Sequence, residues 1–161
     1  MANWSFRAES EQQTEQLGVA LAQIVVAGTT VSLVGNLGAG KTRLTRAIAK
    51  GLGISDEQVS SPTFMLIQEY CGRLPLYHFD TYRLADLDEF YDLGPEEYFY
   101  GDGVCLVEWG DRVREALPDD YLRIEIEIVS SEQRVFHLES SGENSASLLS
   151  ELQQALESAC D

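Results

Sequence analysis

Apolar residues recur at helical spacing between residues 10 and 26, where Leu17, Ala20, Leu21, Ile24 and Val25 follow a Ser10-Glu11 start. The pattern then changes period. Thr29 to Val34 is a short β-branched and apolar run ended by Gly35, which predicts a buried strand. Leu44, Ala47, Ile48 and Leu52 return to one helical face over Thr42 to Leu52, stopped near Gly51 and Gly53. Two extended runs, Thr63 to Tyr70 and Leu74 to Phe79, flank a Cys71-Gly72 turn. An acidic helix is expected over Leu87 to Leu93, and a second buried strand over Val104 to Val107. Leu122, Ile124, Ile126 and Ile128 alternate within Tyr121 to Val129, as do residues of Arg134 to Leu138, predicting a hairpin with its turn at Ser130 to Gln133. A last helix carries Leu148, Leu149, Leu152, Leu156 and Ala159 on one side. Strands alternating with helices indicate a single α/β domain over residues 1–161, with a central mixed sheet flanked by helices.

Composition narrows the class. The 161 residues suit one domain, and 44% hydrophobic content suits a packed core. No run approaches the roughly 20 apolar residues of a membrane span, and the Met1 to Ser5 start lacks a signal core. Cys71, Cys105 and Cys160 are odd in number and far apart, which suggests neither zinc nor a disulfide framework and suits the cytoplasm. A net charge of -16 disfavours broad contact with nucleic acid. The few cations are clustered, with Lys41, Arg43, Arg46 and Lys50 falling within residues 41–50.

That cluster opens on the strongest motif in the chain. Gly35-Asn36-Leu37-Gly38-Ala39-Gly40-Lys41-Thr42 matches G-x-x-x-x-G-K-[ST] in full, between a predicted strand and a predicted helix. Its glycines let successive backbone N–H groups point into one anion-binding hollow, and the positive end of the next helix faces the same hollow. Lys41 is expected to meet the β- and γ-phosphates, and the Thr42 hydroxyl to bind magnesium. Neither lysine of the chain lies in an N-K-x-D guanine-reading segment, so ATP is the expected nucleotide.

A phosphate-loop protein also needs a carboxylate at a neighbouring strand end. Asp80 ends Leu76-Tyr77-His78-Phe79-Asp80 and Glu108 ends Val104-Cys105-Leu106-Val107-Glu108. The second strand is more apolar and reads as the buried neighbour of the loop strand, which favours Glu108 for the metal and leaves Asp80 to orient or activate water. His78 has no partner at metal-ligand spacing and reads as a structural hydrogen bonder.

The chain resembles the TsaE family of bacterial ATPases, also known as YjeE, which serve the pathway making threonylcarbamoyladenosine in transfer RNA. Thr14-Glu15-Gln16-Leu17-Gly18 resembles the family's N-terminal helix, and Gly35 to Thr42 its G-x-L-G-A-G-K-T loop. Ser61-Pro62-Thr63-Phe64, His78-Phe79-Asp80-Thr81-Tyr82-Arg83 and Glu108-Trp109 match three further family segments in order. Arg43 and Gly110-Asp111 depart from the usual residues. The resemblance implies that Thr42 and Glu108 hold magnesium, while Asp80 and Ser61 to Phe64 act as switch elements sensing the γ-phosphate. It places Trp109 beside the nucleotide, and the Ser10 to Thr14 region and Arg134 near the base or ribose. It implies an accessory ATPase acting on the TsaB–TsaD pair, touching transfer RNA only indirectly.

Arg43, Arg46 and Lys50 share one helical face, either as a solvated stripe balancing carboxylates or as a docking patch. The alternative function is a small-molecule kinase with Arg112 and Arg114 as lid arginines. A sensor that binds ATP without hydrolysing it is weaker.

Overall fold

The computed structural model describes residues 2–36, 38–55, 67–82, 84 and 86–159. Its element order is β1 (Asn3–Ala8), α1 (Glu11–Ile24), β2 (Thr30–Val34), α2 (Lys41–Gly51), β3 (Ile67–Tyr70), β4 (Leu76–Asp80), α3 (Leu87–Asp92), α4 (Pro95–Phe99) and β5 (Val104–Glu108). A 3-10 helix over Gly110–Ala116 follows, then β6 (Leu122–Ile128), β7 (Arg134–Ser140) and α5 (Glu143–Ala159). The strands form one mixed seven-stranded sheet in the order β1-β7-β6-β2-β5-β4-β3. Its centre is parallel: β2 pairs with β5 and β6, and β5 with β4. Its edges are antiparallel, through β3–β4, β6–β7 and β1–β7. The expected hairpin of Tyr121 to Val129 with Arg134 to Leu138 is present, and β5 does lie directly beside β2.

Three elements go beyond the sequence pattern. β1 pairs along its whole length with β7, Asn3 opposite Glu139 and Ala8 opposite Arg134. Its polar residues Asn3, Ser5 and Arg7 alternate outward and mask the strand pattern. The short α4, with Pro95 at its first position, and the 3-10 helix after β5 are too brief to show a period. The strand expected from Thr63 is described only over Ile67–Tyr70, and Ser61 to Phe64 lie outside the described residues.

Alternation along the strands divides the core. Val31 and Leu33 of β2, Leu76 of β4, and Val104 and Leu106 of β5 join an aliphatic cluster with α1, α2 and α5. Phe79, Cys105 and Val107 point the other way, into a cluster with Phe90 and Phe99 from α3 and α4. Phe79 meets Phe90 at 5.8 Å, Phe99 at 5.9 Å and Tyr98 edge-on at 5.5 Å between ring centroids. Helix α1 packs closely on α2 because residue 18 is glycine: a Cβ there would overlap the Ala47 side chain. This contact holds the N-terminal turn of α1 near the start of α2.

Candidate active site

The phosphate loop sits at the C-terminal end of β2, where a parallel sheet presents its ligands. Gly38 and Gly40 adopt φ of 80° and 110°, left-handed conformations that favour glycine, and the space beside each is open. Ala39 N–H donates to Asn36 O at 3.0 Å and closes the turn. Gly40 provides no side-chain cap for α2, so the first N–H groups of that helix face the hollow without a competing side-chain acceptor there. Leu37 lies outside the described residues.

Lys41 folds back across the loop. Its Nζ donates to Gly35 O at 2.5 Å and Asn36 O at 2.9 Å, and stands 4.0 Å from the centroid of the Trp109 ring. Burial pushes the ammonium pKa down, and the carboxylates of Glu108, Asp111 and Asp80 oppose that shift. The strand register brings two of those acids together: Glu108 pairs with Leu33 of β2 on one side and with Asp80 of β4 on the other.

The two carboxylates have unequal surroundings. Glu108 is 4% exposed, and its Oε2 shares a hydrogen bond of 2.5 Å with His78 Nε2. Asp80 is half-buried and accepts the Tyr82 N–H on Oδ1 at 3.0 Å. Burial raises the Asp80 pKa; the Tyr82 bond lowers it, Glu108 raises it, and His78 and Lys41 lower it.

Trp109 follows Glu108 with φ 61° and ψ 38°, a strained conformation for an aromatic residue. Hydrogen bonds on both sides hold it there. Its N–H donates to Leu33 O at 2.9 Å; its carbonyl accepts from Thr81 Oγ1 at 2.9 Å and from Arg112 N–H at 2.9 Å. Thr81 Oγ1 also donates to Glu108 O at 2.9 Å, so one buried hydroxyl ties β4 to the turn after β5. The indole lies 4.9 Å from the Tyr82 ring.

A cavity of about 940 Å3 opens over this constellation, within the roughly 300–1,000 Å3 of small-ligand sites. Gly38, Ala39, Gly40, Lys41, Thr42, Asp80, Glu108, Trp109, Arg134 and Thr14 all line it. Arg134 reaches it from β7, its Nε donating to Ala39 O at 2.8 Å. Ser10 and Asn36 take other parts: Ser10 Oγ accepts from Gln13 N–H and caps α1, and Asn36 meets Lys41 through its carbonyl. Thr81 and Tyr82 fall within the His78 to Arg83 segment, but their roles here, tying β4 to the turn after β5 and stacking on Trp109, were not legible in it. The H-x-D spacing does place His78 and Asp80 on one strand face, but nothing in spacing alone brings Glu108 to His78.

The basic stripe is largely neutralised by α1. Arg43 pairs with Glu11 at 3.0 Å and Lys50 with Glu15 at 2.5 Å, while Arg46 lines the cavity. Arg112 donates to the Tyr82 carbonyl, and neither it nor Arg114 lines the cavity.

The family model described as "Threonylcarbamoyl adenosine biosynthesis protein TsaE" matches residues 8–136, from the end of β1 to β7. The chain belongs to the TsaE family. The tRNA threonylcarbamoyladenosine biosynthesis protein TsaE of Bacillus subtilis is 41% identical over 153 residues, covering 94% of this chain and 95% of the relative. The protein of that name from Treponema pallidum is 43% identical over 127 residues, covering 79% and 93%. The crystal structure of YdiB from Bacillus subtilis superimposes with a TM-score of 0.81 at 35% identity over 96% of each chain. Among the described residues, no helix is long and apolar enough to cross a membrane.

Proposed function

We propose that this chain is a weak, magnesium-dependent ATPase of threonylcarbamoyladenosine biosynthesis in transfer RNA, acting in the cytoplasm on a TsaB–TsaD complex. Family membership supports the pathway. The observation that carries the activity is Lys41, held at the mouth of the loop between two loop carbonyls and the strand-end acids Glu108 and Asp80.

The site fits both groups. The left-handed glycines and uncapped α2 terminus form a cradle for a triphosphate. The nearby oxygen donors, Thr42 and Glu108, suit magnesium. Among the described residues, no group of three or more His, Cys, Asp or Glu would hold a metal alone. Such a site needs phosphate oxygens to complete it. When bound, magnesium supplies charge neutralisation to the phosphates. Lys41 exchanges its loop carbonyls for phosphate oxygens as a charged donor. Asp80 keeps Oδ1 on the Tyr82 N–H and offers its other oxygen to a water; its raised pKa makes it a better proton acceptor than an ordinary carboxylate. Thr14, Trp109 and Arg134 line the same cavity, where they would contact the rest of the nucleotide. The net charge of -16 supports indirect contact with transfer RNA.

The test is ATP turnover by the purified chain, alone, with TsaB–TsaD, and with a panel of small alcohols and nucleosides. Slow turnover altered only by TsaB–TsaD, together with a need for the chain in repeated rounds of modification, is expected. Phosphorylation of an acceptor would overturn the reading in favour of a kinase.

A further inference from the structure

His78 is wholly buried one strand from the site, and the proposed reaction gives it no role. It occupies the centre of β4, two residues before Asp80, on the strand face that carries Leu76. Glu108 ends the adjoining β5 on the same face, and the two side chains meet at 2.5 Å through Nε2 and Oε2. The other ring nitrogen, Nδ1, is buried with no hydrogen-bond partner among the described residues. A proton on Nδ1 would therefore be an unsatisfied buried donor, whereas an unprotonated Nδ1 leaves only a lone pair unmet. The arrangement assigns the ring proton to Nε2, where it is donated to Glu108.

We propose that His78 is a positioning residue for the metal site. Its single hydrogen bond fixes the Glu108 carboxylate, leaving Oε1 presented to a divalent cation beside the phosphate loop. The packing supports this. Glu108 is 4% exposed, so its rotamer is set by neighbours, and His78 is its only side-chain hydrogen-bond partner among the described residues. The Glu108 backbone is independently held by Thr81, so the imidazole controls the side chain alone. Partners of metal ligands typically contribute about 10–100-fold to metal affinity. The inference rests on the nucleotide reading above.

The test compares His78→Met, which loses the donor, with His78→Gln, whose amide can replace Nε2–H. The readout is Mn2+ uptake by electron paramagnetic resonance in saturating non-hydrolysable ATP analogue, beside analogue affinity without metal. His78→Met is expected to weaken Mn2+ binding about tenfold, with metal-free affinity within about twofold and His78→Gln restoring most of the loss. In a Glu108→Gln background, His78→Met should add little, because the imidazole acts through that carboxylate. Equal Mn2+ binding by His78→Met and the unsubstituted chain overturns the proposal, as does an undiminished effect in the Glu108→Gln background. A second measurement survives misfolding of His78→Met. The unsubstituted chain has only two histidines, so imidazole 15N spectra resolve them. The His78 Nε2–H signal should move on adding Mg2+ with analogue while His137 stays still; an unmoved His78 signal contradicts the role. Failure of the unsubstituted chain to take up Mn2+ with analogue would instead strike the nucleotide reading.

Discussion

Strands β4 and β5 serve two faces of one sheet in different ways. Toward α3 and α4 they send Tyr77, Phe79, Cys105 and Val107, which close against Phe90, Phe99 and Val113. Toward α1 and α2 they begin alike, with Leu76, Val104 and Leu106, but end in His78, Asp80 and Glu108. Apolar packing thus runs to the strand ends on one face and stops short on the other. The aromatic face stabilises by buried area. The α2 face replaces part of that area with buried and half-buried ionisable groups, at a cost in stability. Separating the two faces is the purpose of the experiments that follow.

The largest effect is expected on the aromatic face. Phe90 is fully buried and touches Phe79 and Phe99. Phe90→Ala should cost about 3–5 kcal/mol in denaturant unfolding, while nucleotide affinity of the folded fraction stays near normal. A comparable loss of affinity in the folded protein would show that the faces are coupled. On the other face, Lys41→Ala should weaken ATP-analogue binding about 100-fold, the equivalent of a charge-assisted contact of about 3 kcal/mol. Melting should change far less than for Phe90→Ala. Equal analogue binding by both proteins would remove the phosphate-loop assignment.

Smaller differences should divide the acids. Glu108→Ala should weaken magnesium-dependent binding at least about tenfold, since losing the carboxylate costs no less than losing the partner that orients it. Asp80→Ala should leave binding nearly intact and lower single-turnover hydrolysis, since water orientation matters in the transition state. The opposite pattern would exchange their roles. The smallest expected effect is on stability against pH. Burial raises the folded Asp80 pKa above its ordinary 3.8. The folded state therefore holds the proton more tightly, and the Asp80 contribution to stability falls as pH rises from the ordinary value through the folded one. Asp80→Asn should melt above the unsubstituted protein at pH 7.5, with the gap shrinking at pH 4.5. A gap that grows toward acid would contradict the burial argument.

Local patterns made much of this legible. The loop from Gly35 to Thr42 is contiguous, and its chemistry depends on backbone that glycines permit, so a string of letters suffices. The parallel core announced itself through β-branched and apolar runs, and Glu108 through the apolar strand before it. β1 was not legible because its support comes from β7, more than a hundred residues away. The partners of the basic stripe were not legible either, because Glu11 and Glu15 reach Arg43 and Lys50 only through the packing of α1 on α2.

By itself, then, the sequence determined the glycine-rich loop, the alternation of faces and the two acids at strand ends, since each arises from residues adjacent along the chain. Tertiary structure alone decided that Glu108 meets His78, that Trp109 turns left-handed over Lys41, and that Arg134 reaches Ala39. Those contacts join residues from 30 to 95 positions apart, and the turn at Trp109 is itself held by Leu33, Thr81 and Arg112. Strand register and order set them, and no local preference encodes which strand becomes whose neighbour.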